Sequence, residues 1–114
     1  MHKVTQYAER AWHRYCKIYP MLDRFMMPEI VLSNRLEKTA GYNDSYANRI
    51  ILNARMLDRF TKNMLEIILP HELAHQVDFN LNGWKKYKRH HGKQWKEIMV
   101  AYGLEPEPYH TMEL

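Results

Sequence analysis

Two histidines and a glutamate, arranged as His71-Glu72-Leu73-Ala74-His75, are the residues of this chain best suited to chemistry. They fit the pattern H-E-x-x-H, which on a helix places two imidazoles one turn apart on a single face, where both can bind one metal ion. Glu72 would then lie beside the metal without binding it and could take a proton from a zinc-bound water. Because the pattern fixes only three positions, roughly one chain of this length in a few hundred would match it by chance.

A catalytic zinc site has three protein ligands, and the sequence offers several candidates for the third. Asp78 lies on the same helical stripe, but it is about 10.5 Å from His71 along the helix axis, so we expect a surface or supporting carboxylate. Glu97, in the last predicted helix, would give a His-His-Glu site. His90 and His91 stand where that helix begins and are better placed. Spacing alone does not choose between them.

Composition and length limit the class of protein. The 114 residues, of which 46% are apolar and 12% aromatic, predict one globular domain over residues 1–114. The net charge of +4 leaves acidic partners, nucleic acid among them, open. Cys16 is the single cysteine, which excludes an internal disulfide and a four-cysteine zinc ribbon. With no segment near the ~20 apolar residues of a membrane span and no signal peptide, we expect a cytoplasmic protein without membrane contact.

The pattern of apolar residues predicts the elements before the motif. Apolar steps of three and four predict an amphipathic helix over the first 18 residues, ended by Pro20. Residues 29–33 read as a short strand. Residues 39–43 and 47–52 read as the arms of a hairpin, with Asn43-Asp44-Ser45 as the turn. Asn53 can cap a short helix over residues 54–60.

The motif itself is expected on a long helix. Thr61 begins a helical pattern that continues to about Leu81, and Pro70 should kink it directly before His71. A final helix is predicted from about Gly92 to Tyr102, with Trp95 on its inward face and Gly103 as its C-cap.

The stretch Leu69-Pro70-His71-Glu72-Leu73-Ala74-His75, followed by His91-Gly92-Lys93-Gln94-Trp95-Lys96, resembles the SprT-like family of zinc metallopeptidases. The signature of that family is H-E-x-x-H, a loop, and then H-G-x-x-W/F. Ala40-Gly41-Tyr42 and residues 49–53 are similar to the hairpin of bacterial members, and the likeness extends over roughly residues 25–114, through His110 to Glu113-Leu114. It implies an α+β fold with a zincin-like (minigluzincin) core. That core has an N-terminal helix, a small three-stranded sheet, the H-E-x-x-H helix and a following helix that carries the third ligand at its start.

The resemblance also implies a role for each matching residue. His71, His75 and His91 would bind one zinc ion, His91 being preferred to His90 because it precedes the glycine. Glu72 would be the catalytic acid and base of a zinc-dependent endopeptidase. Trp95 matches the family's aromatic residue, and we expect it to pack the last helix under the metal site. A further donor to the oxyanion is commonly needed, and Tyr102, Tyr109 and His110 remain open for that role.

A basic segment after the motif helix points to nucleic acid. Trp84 and Tyr87 are interleaved with cations, which suits a phosphate backbone and unstacked bases, although a solvated loop explains the same residues. The cations are Lys85, Lys86, Lys88, Arg89, Lys93 and Lys96. Because eukaryotic relatives degrade proteins crosslinked to DNA, we expect a protein substrate, with DNA as a second partner, and a monomeric enzyme.

Two other functions fit the same residues. One is a nucleic-acid-binding or regulatory module with a non-proteolytic zinc site, and the other is a peptidase for one regulatory protein with no role for DNA. Typical bacterial relatives continue into a C-terminal zinc ribbon. The end of this sequence at Leu114 therefore suggests a minimal catalytic core, for which DNA targeting is less certain than the chemistry.

Overall fold

The computed structural model describes residues 2–83 and 92–106 of the chain. Its first helix, α1 (His2–Ile18), buries Val4, Ala8 and Tyr15 along the predicted inward face. Pro20 then begins a single turn of 3-10 helix, Pro20–Arg24. The amphipathic helix expected to end before Pro20 is therefore confirmed.

A three-stranded sheet follows, composed of β1 (Glu29–Ser33), β2 (Gly41–Asp44) and β3 (Arg49–Asn53). The order is β1-β3-β2. β3 pairs in parallel with β1, with Ile30 opposite Ile50, and antiparallel with β2. Because β3 is flanked on both sides, its last four residues are buried, whereas β1 and β2 form the two edges of the sheet.

The hairpin between β2 and β3 lies slightly later in the chain than predicted. Asp44 is still in the strand and pairs with Arg49, so the expected turn at Asn43-Asp44-Ser45 is wrong. The chain turns over residues 45–48 instead, and Asn48 adopts a positive φ of 54°. Asparagine tolerates this left-handed conformation better than most residues. At the other end of β2, a Cβ on Gly41 would lie 2.7 Å from the Ile51 carbonyl oxygen, so only glycine fits there unless the backbone shifts.

Asn53 ends the sheet and starts the helical part of the chain. Its Oδ1 accepts hydrogen bonds from the backbone N–H groups of Arg55 and Met56 at the start of α2 (Ala54–Arg59), as expected of an N-cap. Its Nδ2 donates to the carbonyls of Leu36 and Thr39. The fully buried amide therefore also holds the loop before β2 in place.

The motif helix is continuous with the turns before it. One turn, α3 (Thr61–Asn63), leads into a π-helical segment, Met64–Ile68, and then into α4 (Leu69–Asn82), which Gly83 ends. The N–H of Leu69 donates to the Met64 carbonyl five residues back. This wider turn accommodates Pro70, which has no N–H and whose ring would clash with the carbonyl four residues earlier. The expected distortion at Pro70 is thus a π-helical turn within an unbroken helical run.

The last described helix, α5 (Lys93–Tyr102), ends at Gly103, whose φ of 108° gives the predicted C-cap. Helices α1, α4 and α5 pack together around one buried apolar cluster that also includes Ile50 and Leu52 of the sheet. The α+β architecture implied by the resemblance is confirmed. None of the described helices is long and apolar enough to cross a bilayer.

Candidate metal centre

Helix α4 is the central element of the fold. Its first ten residues, from Leu69 to Asp78, are all buried, because the sheet packs on one side of the helix and α1 and α5 pack on others. A helix that is buried all round presents its polar residues to protein rather than to solvent. Each polar side chain on this stretch therefore needs a partner in the protein or a ligand.

Three of these buried polar side chains form a cluster that could hold a metal ion. One donor atom from each of His71, Glu72 and His75 lies within 4.8 Å of the others. Nε2 of His71 is 3.6 Å from Oε2 of Glu72. The two imidazole rings are 5.2 Å apart, centre to centre, and inclined at 72°. The helical spacing in the sequence thus does bring the two imidazoles together.

Trp95 of α5 forms the floor under both histidines. Its fully buried ring lies 4.8 Å from the His71 ring, edge to face, and stacks on His75 at 5.0 Å and 13°. Its Nε1 donates to the His71 carbonyl at 3.4 Å. The predicted packing of Trp95 under the site is confirmed. The indole also limits the rotation of both imidazoles, which a preorganised metal site requires.

Glu72 lies in an environment that disfavours its charge. Loss of solvation on burial raises the pKa of its carboxyl from the ordinary 4.5 to about 8. A buried carboxylate is costly unless a cation lies near it. Two imidazoles and a carboxylate, all buried, are donors that suit a divalent metal ion, and such an ion would stabilise the ionised form of Glu72.

Two contacts that position α4 could not be inferred from the motif. The buried hydroxyl of Tyr15 donates to the Pro70 carbonyl at 2.8 Å, which fixes the start of α4 on α1. Gln76, also buried, accepts from Nδ2 of Asn43 at 2.8 Å and donates to the Ser45 carbonyl at 3.2 Å. Gln76 therefore attaches the motif helix to the end of edge strand β2. The sequence signal for this contact was Gln76 itself, a polar residue at a core position of a helical stripe that is otherwise apolar.

The structure removes two of the alternative metal ligands from the cluster. Asp78 is buried, not on the surface, and its Oδ1 accepts from Nδ2 of Asn82 at 2.8 Å. The expectation of a surface carboxylate is wrong because α4 is covered on the side of Asp78 too. The alternative, a carboxylate that supports the metal ligands, remains a prediction. Glu97 is 64% exposed and lies 4.0 Å from Nζ of Lys93, so it faces solvent. The His-His-Glu alternative is wrong for that reason.

Several predicted site residues lie outside the described residues. They are His90, His91, Trp84, Lys85, Lys86, Tyr87, Lys88, Arg89, Tyr109 and His110. Of the cations in the basic segment, Lys93 and Lys96 are described, both are exposed, and the Lys93 side chain is 89% exposed. Tyr102 packs on Tyr15, with ring centres 4.5 Å apart, and its ring lies under the Arg14 guanidinium. The described contacts of Tyr102 are therefore with α1.

Comparison with known proteins identifies the family. The SprT-like family profile matches residues 7–110. The protein SprT of Vibrio parahaemolyticus is 31% identical over 91 residues, which cover 79% of this chain and 53% of the relative. That of Glaesserella parasuis is 32% identical over 91 residues, covering 79% and 56%, and that of Pasteurella multocida is 31% identical, covering 79% and 53%.

The chain thus spans about half the length of the curated relatives it matches. No solved structure matches it significantly. The family match begins within α1, well before the region where the sequence motifs are similar, so the N-terminal helix is part of the shared domain. The match covers most of the chain, including the H-E-x-x-H helix and α5, and this protein therefore belongs to the SprT-like family.

Proposed function

We propose that this protein is a zinc-dependent endopeptidase. His71, His75 and His91 would hold one zinc ion, and Glu72 would move the proton in peptide hydrolysis. The observation that carries the proposal is the buried cluster in which donor atoms of His71, Glu72 and His75 lie within 4.8 Å of one another. A structural metal site needs no general base at its edge, so the glutamate favours catalysis over a purely structural or regulatory role.

Zinc suits these residues because imidazole is one of its preferred ligands and catalytic sites commonly use three protein ligands. When bound, the ion would supply Lewis acidity toward water and toward the peptide carbonyl. The resemblance selects His91 as the third ligand because it directly precedes the glycine, and Gly92 is the N-cap of α5. One turn further on, Trp95 contacts both imidazoles, so α5 starts close to the cluster.

Glu72 has the position and burial of a general base. Its Oε2 is 3.6 Å from Nε2 of His71 and would accept a proton from the attacking water. The same carboxyl would then deliver that proton to the amine nitrogen as the peptide bond breaks. Burial raises the pKa of this carboxyl from 4.5 to about 8, so it can hold a proton near neutral pH. A base in such a site acts most effectively near neutral pH.

The substrate is proposed to bind along strand β2. This strand is an edge of the sheet, so one row of its backbone groups is available to pair with an extended peptide. Its end is attached to the motif helix through Asn43 and Gln76. An added peptide strand would therefore be held at a fixed distance from the cluster, which supports cleavage within an extended segment of protein.

DNA-bound proteins are the proposed substrate class. The support is the chain's net charge of +4 and the cations and aromatic residues between Trp84 and Lys96 in the sequence. The resemblance to eukaryotic relatives that act on DNA-crosslinked proteins points the same way.

The test is cleavage of a DNA-binding protein by zinc-loaded enzyme, with and without single-stranded DNA, beside the variant Glu72→Gln. Cleavage that requires both Glu72 and DNA is expected. Cleavage that requires Glu72 but is indifferent to DNA would leave a peptidase without the DNA role. DNA binding without any cleavage would favour the nucleic-acid-binding module.

A further inference from the structure

A groove on the outer side of α1, distant in sequence from the basic segment, carries a second concentration of positive charge. It has a volume of about 460 Å³ and is bounded by α1, the π-helical segment and the end of α5. We call it the α1 groove and define it by Tyr7, Arg10, Arg14, Lys17, Glu66 and Tyr102. His13 also lines it, and among the described residues Glu66 is the one acidic residue of its lining.

The cations of the α1 groove are segregated on one flank of the helix. Arg10, Arg14 and Lys17 follow one another at steps of four and three residues, which places them on one face. All three are exposed, and within the described part of the chain none forms an ion pair with a carboxylate. Exposed cations on a solvated helix commonly have acidic neighbours at i+3 or i+4. Among the described residues that line the groove, Glu66 alone opposes the charge of these three cations.

Two of these cations are held in place by aromatic rings. The guanidinium of Arg10 lies 5.1 Å from the centre of the Tyr7 ring. That of Arg14 lies 4.8 Å from the Tyr102 ring, and its Nε donates to the Tyr102 carbonyl at 2.9 Å. Such contacts restrict the side chains before any ligand binds, which lowers the entropic cost of binding. The remaining guanidinium N–H groups are suited to phosphate oxygens, which arginine can contact with two parallel hydrogen bonds.

The length of the cationic row favours a nucleic-acid strand over an acidic peptide. From Arg10 to Lys17 the helix advances about 10.5 Å. A stacked nucleic-acid strand presents a phosphate every ~3.4 Å, so four successive phosphates span this row, and the three cations lie opposite the first, third and fourth of them. In an extended peptide, side chains on one face recur only every ~6.6 Å. Three such side chains span ~13.2 Å, which is longer than the row, so an acidic peptide matches the three cations less closely.

We propose that the α1 groove binds the sugar–phosphate backbone of a single-stranded nucleic acid through Arg10, Arg14 and Lys17. This deepens the proposed function, on which it rests for the role of DNA, by assigning a binding surface outside the basic segment after α4. Binding is measured without cleavage, so failure of this inference and failure of the peptidase proposal give different results.

The experiment is fluorescence anisotropy of a labelled single-stranded oligonucleotide titrated with the full chain at several salt concentrations. The test variant is Arg10→Gln/Lys17→Gln. The matched control is Arg35→Gln/Lys38→Gln, which removes the same charge from two exposed residues outside the groove. Each single-strand phosphate contact contributes about 0.7 to the slope of log K against log salt. The test variant should lower that slope by about 1.4 and the affinity at 0.1 M salt by about 25-fold.

The control variant should bind within about twofold of wild type, by the same salt argument. Arg10→Lys/Lys17→Arg, which preserves the charge, should retain most of the affinity and so exclude misfolding as the cause. Equal weakening by the test and control variants would overturn the proposal. So would the absence of binding, or loss of binding only on Lys85→Gln/Lys86→Gln. Tighter binding of polyglutamate than of the oligonucleotide would assign the groove to an acidic protein instead.

Discussion

Replacing Glu72 by glutamine should stabilise the metal-free protein, and the gain should grow with pH. Glutamine has nearly the same shape as the protonated carboxyl and stays neutral at every pH. Glu72 is buried, and burial raises the pKa of its carboxyl from 4.5 to about 8. The wild-type protein must therefore either keep a proton on this group or bury a charge, and the variant has neither requirement.

The sign and size of the effect follow from the pKa values. Below pH 4.5, the Glu72 carboxyl is protonated in both the folded and the unfolded chain. The difference in free energy of unfolding between wild type and variant is therefore constant there. Between pH 4.5 and about 8, the unfolded chain loses the proton while the folded chain keeps it. Wild-type stability then falls by about 1.4 kcal/mol per pH unit relative to the variant. The total, about 5 kcal/mol, is a large part of the ~5–15 kcal/mol typical of a domain.

Urea unfolding of both proteins in the presence of a chelator, at intervals from pH 4.5 to 8.5, measures this difference directly. Glu37→Gln, which removes an exposed carboxyl, is the control and should show a far smaller change with pH. Saturating zinc should reduce the pH dependence of the wild type, because a cation beside the Glu72 carboxylate favours its charged form. A difference in free energy of unfolding between wild type and Glu72→Gln that does not change with pH would show that burial does not raise the pKa of Glu72.

Three further predictions concern the parts of the site. His91→Ala should weaken zinc binding by roughly 100-fold or more, beyond the 10–100-fold typical of groups that only support a ligand. His90→Ala should not weaken it. Equal zinc content of wild type and His91→Ala in titrations against a chelator would exclude His91 as a ligand. Gln76→Leu should leave zinc content unchanged but raise KM and cost about 1–3 kcal/mol, because it removes one acceptor of the Asn43 amide and the donor to the Ser45 carbonyl; unchanged peptidase kinetics would show that Gln76 does not position β2. Trp95→Ala should cost about 3–5 kcal/mol in urea unfolding and weaken zinc binding through the freed imidazoles, and Trp95→Phe should restore most of both.

The sequence predicts the local elements well because their signals are local. The spacing of buried residues in α1 defines a helix from His2 to Ile18, and Asn53 caps α2 as its type and position suggest. H-E-x-x-H implies that two imidazoles share one helical face, and the ring separation of 5.2 Å between His71 and His75 agrees. Each of these inferences needs only the geometry of a single helix.

Contacts between distant segments are less accessible from sequence. The parallel pairing of β1 with β3 joins residues 20 apart and leaves no short-range pattern. The turn residues Asn43-Asp44-Ser45 are plausible in a turn, but the pairing of Asp44 with Arg49 extends the strand past them. Asp78 was expected either at the surface or behind the ligands, and its burial follows from the packing of other elements around α4. Periodicity on α4 alone does not show that coverage.

The His71–Glu72–His75 cluster is proposed to hydrolyse peptide bonds with a bound metal ion and with Glu72 as the base. The most direct test measures zinc content and protein cleavage in parallel for wild type and Glu72→Gln. The proposed mechanism predicts about one zinc ion per chain in both proteins. Cleavage by the variant should fall by a factor of roughly 100 to 10,000. Equal cleavage by the two zinc-loaded proteins would contradict the assignment of Glu72 as the base.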